Sequence, residues 1–172
     1  MNKADYTLGE EVNKFEKNIS KRMGSKNTIA VGNGTDALFL VLKALDIKAG
    51  DEIITTPFTF IATVASIVTV GAKPVFVDIK DDYNINEKLI QKAITKKTKA
   101  IMAVNWSGRP CELDKISSIA KKNNLKFIQD ACHSIDSNYK KKPIVKFSDA
   151  CTFSLHPLKN LNVWGDGGII CT

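Results

Sequence analysis

Residues 28–55 read "TIAVGNGTDALFLVLKALDIKAGDEIIT", and the order of patterns inside them decides the fold. "TIAV" is a short, continuously apolar run. Gly32–Asn33–Gly34–Thr35 breaks the chain, Asp36 to Leu45 is a strongly apolar helix, and Glu52–Thr55 is a second strand ended by Pro57. Strand, glycine turn, helix and strand follow one another without a long linker, which is how an α/β sheet is built.

The alternation continues outward in both directions. Upstream, Leu8 to Met23 reads as an amphipathic helix with Val12, Phe15 and Ile19 on one face, and Gly24 stops it. Downstream, the pattern predicts a helix over Thr59–Val70, a strand at Pro74–Val77, a helix over Asn86–Ile94 and a strand at Ala100–Val104. A helix over Glu112–Lys122 and a strand at Lys126–Gln129 follow. After a turn-rich stretch, Ala150–Ser154 and Gly168–Cys171 close the chain as two strands. "TIAV", "VFV" and "AIMAV" are apolar at every position, as strands buried on both faces must be. The expected architecture is therefore α/β, three-layer, with a mostly parallel sheet and helices on both faces. The last two strands have no helix between them, so one of them is expected to run antiparallel.

Bulk properties narrow the function. The 172 residues suit one domain, and 44% hydrophobic with 25% charged residues is ordinary globular composition. The net charge of +7 is spread over helix ends and loops, with no aromatic residues interleaved among the lysine clusters, which argues against nucleic acid as a partner. Cys111, Cys132, Cys151 and Cys171 form no ligand spacing, so no metal is expected, and buried reduced thiols fit the cytoplasm. No apolar run reaches the ~20 residues that span a bilayer, and no signal peptide is legible, so no membrane partner is expected.

Ligands of such sheets gather beyond the carboxyl ends of the strands. Four stretches there carry candidate chemistry. In "VGNGTDALF", Gly34 and Thr35 offer backbone N–H groups and a hydroxyl at a helix N-terminus, either a phosphate cradle or a tight turn with a threonine cap. In "FIQDACHS", Asp130 ends a buried strand, where a carboxylate needs a partner or caps a turn, and His133 follows as a site or structural histidine. Phe58 and Phe60 in "TPFTFIAT" lie over a flat ring or belong to the core. In "SLHPLKNLNVWGDGG", Ser154 and Lys159 bracket a loop leaving a strand. Lys159 sits there without charged neighbours, either as an exposed loop residue or as an amine poised for a Schiff base. Phosphate cradle, carboxylate, aromatic ring and amine together answer the four parts of pyridoxal phosphate: its phosphate, pyridine nitrogen, flat ring and aldehyde.

On "VGNGTDAL", "GDEIITTPFTFIATVASIVTVGAKPVFVDI", "QDACHS" and "SDACTFSLHPLKNLNVWGDGGIICT", the chain resembles the DegT-type sugar aminotransferases, of the aspartate-aminotransferase fold type. The resemblance implies a pyridoxal-phosphate enzyme that moves an amino group, usually from glutamate, to a keto-sugar linked to a nucleotide. It implies that Lys159 forms the Schiff base with the cofactor and that Asp130 pairs with the pyridine nitrogen. His133 would lie beside the ring, Phe60 would stack on it, and Gly34, Thr35 and Ser154 would contact the phosphate. It also implies a homodimer. Members of that family are longer, with an additional N-terminal segment and a smaller C-terminal domain. Residues 1–172 are therefore expected to be the cofactor-binding large domain, without the C-terminal small domain. The chain is then the cofactor half of an enzyme completed by a C-terminal chain, or an inactive remnant that only folds or associates with a partner.

Overall fold

The computed structural model describes residue 7 and residues 9–172. The first helix, α1, runs Glu10–Met23 and ends at Gly24; its expected start at Leu8 lies outside the described residues. The remaining elements are β1 (Thr28–Val31), α2 (Gly34–Ala44), β2 (Glu52–Thr55), α3 (Ile61–Thr69), β3 (Lys73–Phe76), α4 (Glu87–Ala93) and β4 (Thr98–Val104). They continue with α5 (Leu113–Lys122), β5 (Lys126–Asp130), β6 (Asn138–Tyr139), β7 (Lys142–Pro143), β8 (Ala150–Ser154) and β9 (Gly168–Cys171).

Seven strands form one sheet in the order β1-β9-β8-β5-β4-β2-β3. The pairs β3–β2, β2–β4, β4–β5 and β5–β8 are parallel, whereas β9 is antiparallel to both of its neighbours. The connection after β8 carries no helix and folds straight back, as the sequence pattern implies. Alternate strand residues serve the two faces. Ile53, Ala100, Met102, Ile128 and Ile170 pack against Ala37, Leu38, Val41 and Leu42 of α2 and Ile67 of α3. Ile54, Ile101, Ala103, Phe127 and Ile169 pack on the other face against Ile90 of α4 and Leu113 and Ile116 of α5, with Phe15 and Ile19 of α1 beside them. The three layers of an α/β fold follow directly from this period-two division.

Two features depart from the sequence pattern. A small hairpin, β6–β7, occupies the turn-rich stretch before β8. Its central residues Lys140 and Lys141 have φ of 49° and 64°, a mirror-image hairpin turn made without the asparagine or glycine that usually signals one. The strand after Gly71 begins at Lys73, one residue before Pro74. Proline is tolerated there because β3 is the sheet edge.

Among the described glycines, Gly168 has the tightest surroundings, where β9 meets the turn after β1. A Cβ built on it would collide with the carbonyl oxygen of Asn33 and stand 3.0 Å from the nitrogen of Gly34. Gly168→Ala is therefore expected to destabilise the fold by about 1–3 kcal/mol through overpacking. A lowered urea midpoint would register this, and an unchanged midpoint would show that the two segments are not in contact.

Candidate active site

The parallel strands β2, β4, β5 and β8 all end at one edge of the sheet, and the turn after β1 and the start of β9 reach the same edge. A cavity of about 740 Å³ opens there. Gly34, Thr35, Phe60, Asp130, His133, Ser154 and Lys159, all named from the sequence, line it.

The floor begins at the N-terminus of α2. Asn33, not Thr35, caps this helix: its side chain accepts from the Asp36 amide at 2.8 Å. The threonine-cap expectation is thereby corrected. Thr35 is exposed with its hydroxyl unused, and the amides of Gly34 and Thr35 find no acceptor among the described residues. Gly34 is packed so closely that a Cβ on it would meet the Ser154 Cβ at 2.8 Å and the Cys132 sulfur at 3.1 Å. Free N–H groups at the positive end of a helix, with hydroxyls beside them, form a site for a dianion.

Asp130 ends β5 and is 6% exposed. Its Oδ2 accepts from Thr63 Oγ1 at 2.6 Å, and its Oδ1 accepts from the Cys132 amide at 3.3 Å. Thr63 is itself paired with Thr59, in the bend that precedes α3, at 2.7 Å. Neutral donors thus orient the carboxylate, and among the described residues no cation pairs with it, so it suits a ligand N–H carrying positive charge. Burial first, then the charge of Asp130 and a hydrogen bond to it, push the Cys132 thiol well above its ordinary range. Cys132 is consequently a packing residue, not a nucleophile.

Lys159 is half-buried in the β8–β9 loop. The loop is clamped at its base by Leu155 donating to the Gly167 carbonyl at 2.7 Å and Val163 donating to the Leu155 carbonyl at 3.0 Å. Inside it, the Lys159 amide donates to the His156 carbonyl at 2.8 Å, and the Leu158 amide donates to His156 Nδ1 at 3.2 Å. Leu158 and Trp164 project from this loop almost fully exposed.

The aromatic residues divide. Phe60 lines the cavity with its ring largely exposed to it, whereas Phe58 stacks on Tyr83 with ring centroids 5.3 Å apart and meets Trp106 edge-on at 4.8 Å. Trp106 is a cavity residue that the sequence pattern did not single out, although it lies in the segment after β4 where ligands were expected. Thr63 was also missed; its spacing of four from Thr59 in the predicted helix was the available signal. Among the described residues, no group of three or more histidine, cysteine or acidic side chains could hold a metal.

The family model for the DegT/DnrJ/EryC1/StrS aminotransferase family matches residues 1–172, and the chain belongs to that family. It is 42% identical over 168 residues to a UDP-2-acetamido-2-deoxy-3-oxo-D-glucuronate aminotransferase of Pseudomonas aeruginosa, covering 97% of this chain and 47% of that protein. It is 44% identical over 168 residues to a dTDP-3-amino-3,6-dideoxy-alpha-D-galactopyranose transaminase of Aneurinibacillus thermoaerophilus, covering 97% and 46%. Among solved structures it is similar to NtdA from Bacillus subtilis with bound cofactor PMP. That match has a TM-score of 0.93 and 35% identity, covering 98% of this chain and 38% of that one. The chain thus spans less than half the length of these relatives.

His133 is held below its ordinary pKa, first by burial and then by the positive charge of Lys159, with Asp130 opposing. As pH falls through the ordinary histidine range, the unfolded chain takes up this proton before the folded chain does. His133 therefore withdraws stability below about pH 6.5, its usual value. Proton NMR of His133 should give a midpoint below that value, and Lys159→Met should raise it. A midpoint unmoved by that substitution would separate the two groups.

Proposed function

We propose that this chain is the cofactor-binding large domain of a pyridoxal-phosphate-dependent aminotransferase acting in amino-sugar biosynthesis. The amino donor is glutamate and the acceptor is a keto-sugar linked to a nucleotide. One observation carries the reading: a half-buried lysine, a buried carboxylate held by neutral donors and a helix N-terminus with free amides open into the same cavity. Family membership supports it, as do relatives named for transamination of UDP- and dTDP-linked sugars.

The donor set fits the group. Gly34 and Thr35 amides with the Thr35 and Ser154 hydroxyls bind the phosphate. Asp130, oriented by Thr63, holds a proton at the pyridine nitrogen. Phe60 and His133 confine the ring. Bound there, pyridoxal phosphate supplies an electron sink and an aldehyde to which an amino group attaches. Lys159 would anchor the group through its side-chain amine, and the same amine would be the base that holds or moves a proton at the α-carbon of the donor.

The cytoplasm is the compartment we assign: Cys111, Cys151 and Cys171 are buried free thiols, and no described helix is long and apolar enough to cross a membrane. The exposed Phe60 and Leu158 that line the cavity, with Trp164 exposed on the same loop as Leu158, favour a covering chain, either a second copy in a homodimer or a complementing C-terminal segment. The same exposure supports the alternative that these 172 residues by themselves only fold or associate with a partner chain.

Addition of pyridoxal phosphate is expected to give a visible Schiff-base band, and borohydride should fix the cofactor on Lys159. Peptide mapping checks the position; label scattered over surface lysines would count against the site. Asp130→Asn, in an assembly that turns over, should lose about 3–5 kcal/mol of stabilisation of the charged ring nitrogen. The loss should appear in kcat of a glutamate-dependent assay while the unfolding midpoint changes little. Unchanged turnover would remove Asp130 from the cofactor.

A further inference from the structure

One fully buried asparagine outside the cavity is bound to the loop that forms its aromatic wall. Asn84 lies on the turn between β3 and α4, and both ends of its side-chain amide bond the Trp106 loop. Its Nδ2 donates to the carbonyls of Arg109 at 3.1 Å and Pro110 at 3.4 Å, and its Oδ1 accepts from the Trp106 amide at 3.0 Å. Only a carboxamide satisfies two carbonyls and one N–H at once from a single carbon.

The turn that carries Asn84 is itself fixed. Tyr83 beside it has φ of 64°, Lys80 pairs with Asp82 at 3.5 Å and Glu87 at 3.4 Å, and the Lys80 amide donates to the Asn84 carbonyl at 2.9 Å. The far side of the Trp106 loop rests on the segment after β5. A Cβ on Gly108 would stand 2.9 Å from the His133 carbonyl oxygen, Ser137 donates to the Gly108 carbonyl at 3.3 Å, and Ser134 donates to the Asn105 carbonyl at 3.2 Å. The Trp106 ring meets His133 edge-on with centroids 5.6 Å apart.

We propose that Asn84 is a positioning residue that fixes Trp106 and, through it, the His133 side of the cavity. The β3–α4 turn thereby sets the shape of a site it does not touch. Assigning pyridoxal phosphate to that cavity rests on the function proposed above; the placement of Trp106 by Asn84 does not.

The chain has two tryptophans, so Trp164→Phe leaves Trp106 as the sole indole reporter. In that background, Asn84→Asp keeps the shape but turns an oxygen toward the Arg109 and Pro110 carbonyls. Acrylamide should then quench Trp106 more readily, and the affinity for pyridoxal phosphate, followed by absorption, should fall about tenfold, as for one lost buried hydrogen bond. Ile116→Val, a core change in α5 that lowers stability, should leave both readings at the parent level. If Asn84→Asp only lowers the unfolding midpoint and leaves quenching and affinity unchanged, its role is structural and the proposal fails. Hydrogen exchange of the Trp164→Phe chain decides the case should the aspartate variant not fold. A Trp106 amide protected as well as the Cys111 amide supports the proposal, and exchange at an open-loop rate overturns it. A chain that binds no pyridoxal phosphate refutes the cofactor reading, while quenching and exchange still decide Asn84.

Discussion

β9 is hydrogen-bonded on both sides, to β1 and to β8, and runs against both. Everything at the cavity depends on that insertion. It places the glycine turn after β1 beside the end of β8, so Gly34 touches Ser154 and the N-terminus of α2 faces the loop carrying Lys159. Were β1 displaced from this sheet edge, the lysine and the carboxylate would keep their strands, but the Gly34 and Thr35 amides would leave the cavity. The spacing is enforced by backbone contact: at Gly168 there is no room for a side chain of any size.

The fold was readable because its central strands are buried on both faces; the expectation fails for the edge strands β1 and β3, where Ile29 and Phe76 are exposed. Continuous apolar runs such as "AIMAV" have few competing explanations, and the helices between them carry clear amphipathic spacing. The β6–β7 hairpin was not readable, because Lys140 and Lys141 adopt positive φ without any residue that favours it. That stretch is held by its surroundings: Tyr139 donates to Asp114 Oδ1 at 2.6 Å and Lys140 pairs with Asp114 Oδ2 at 2.6 Å.

The seven candidate residues were legible as separate chemical parts, each with an ordinary alternative explanation, and the structure brings all seven to one cavity. What sequence could not supply was the support around them. Thr63 bonds Asp130 across 67 positions, and Asn84 bonds Trp106 across 22. Thr63 sits on α3 and Asn84 on the β3–α4 turn, far in sequence from the groups they hold, so nothing in the local pattern pairs them with Asp130 or Trp106. They orient the reactive groups without contacting a ligand, so they share none of the chemistry that singles out a lysine or a buried carboxylate.

The pairing of β1 with β9 also imposes an order on synthesis. Thr28 and Cys171 stand opposite each other in the sheet yet are 143 positions apart in the chain. β1 leaves the ribosome early but, among the described residues, has no strand neighbour until β9 has emerged. Throughout that interval the "TIAV" strand waits unpaired, although α2 can already pack on β2, β4, β5 and α3. Closing so long a loop carries an entropic cost that grows slowly with length and delays folding. The segment that leads into the turn at Gly34 is thus also one that waits through nearly the whole of synthesis for its strand partner.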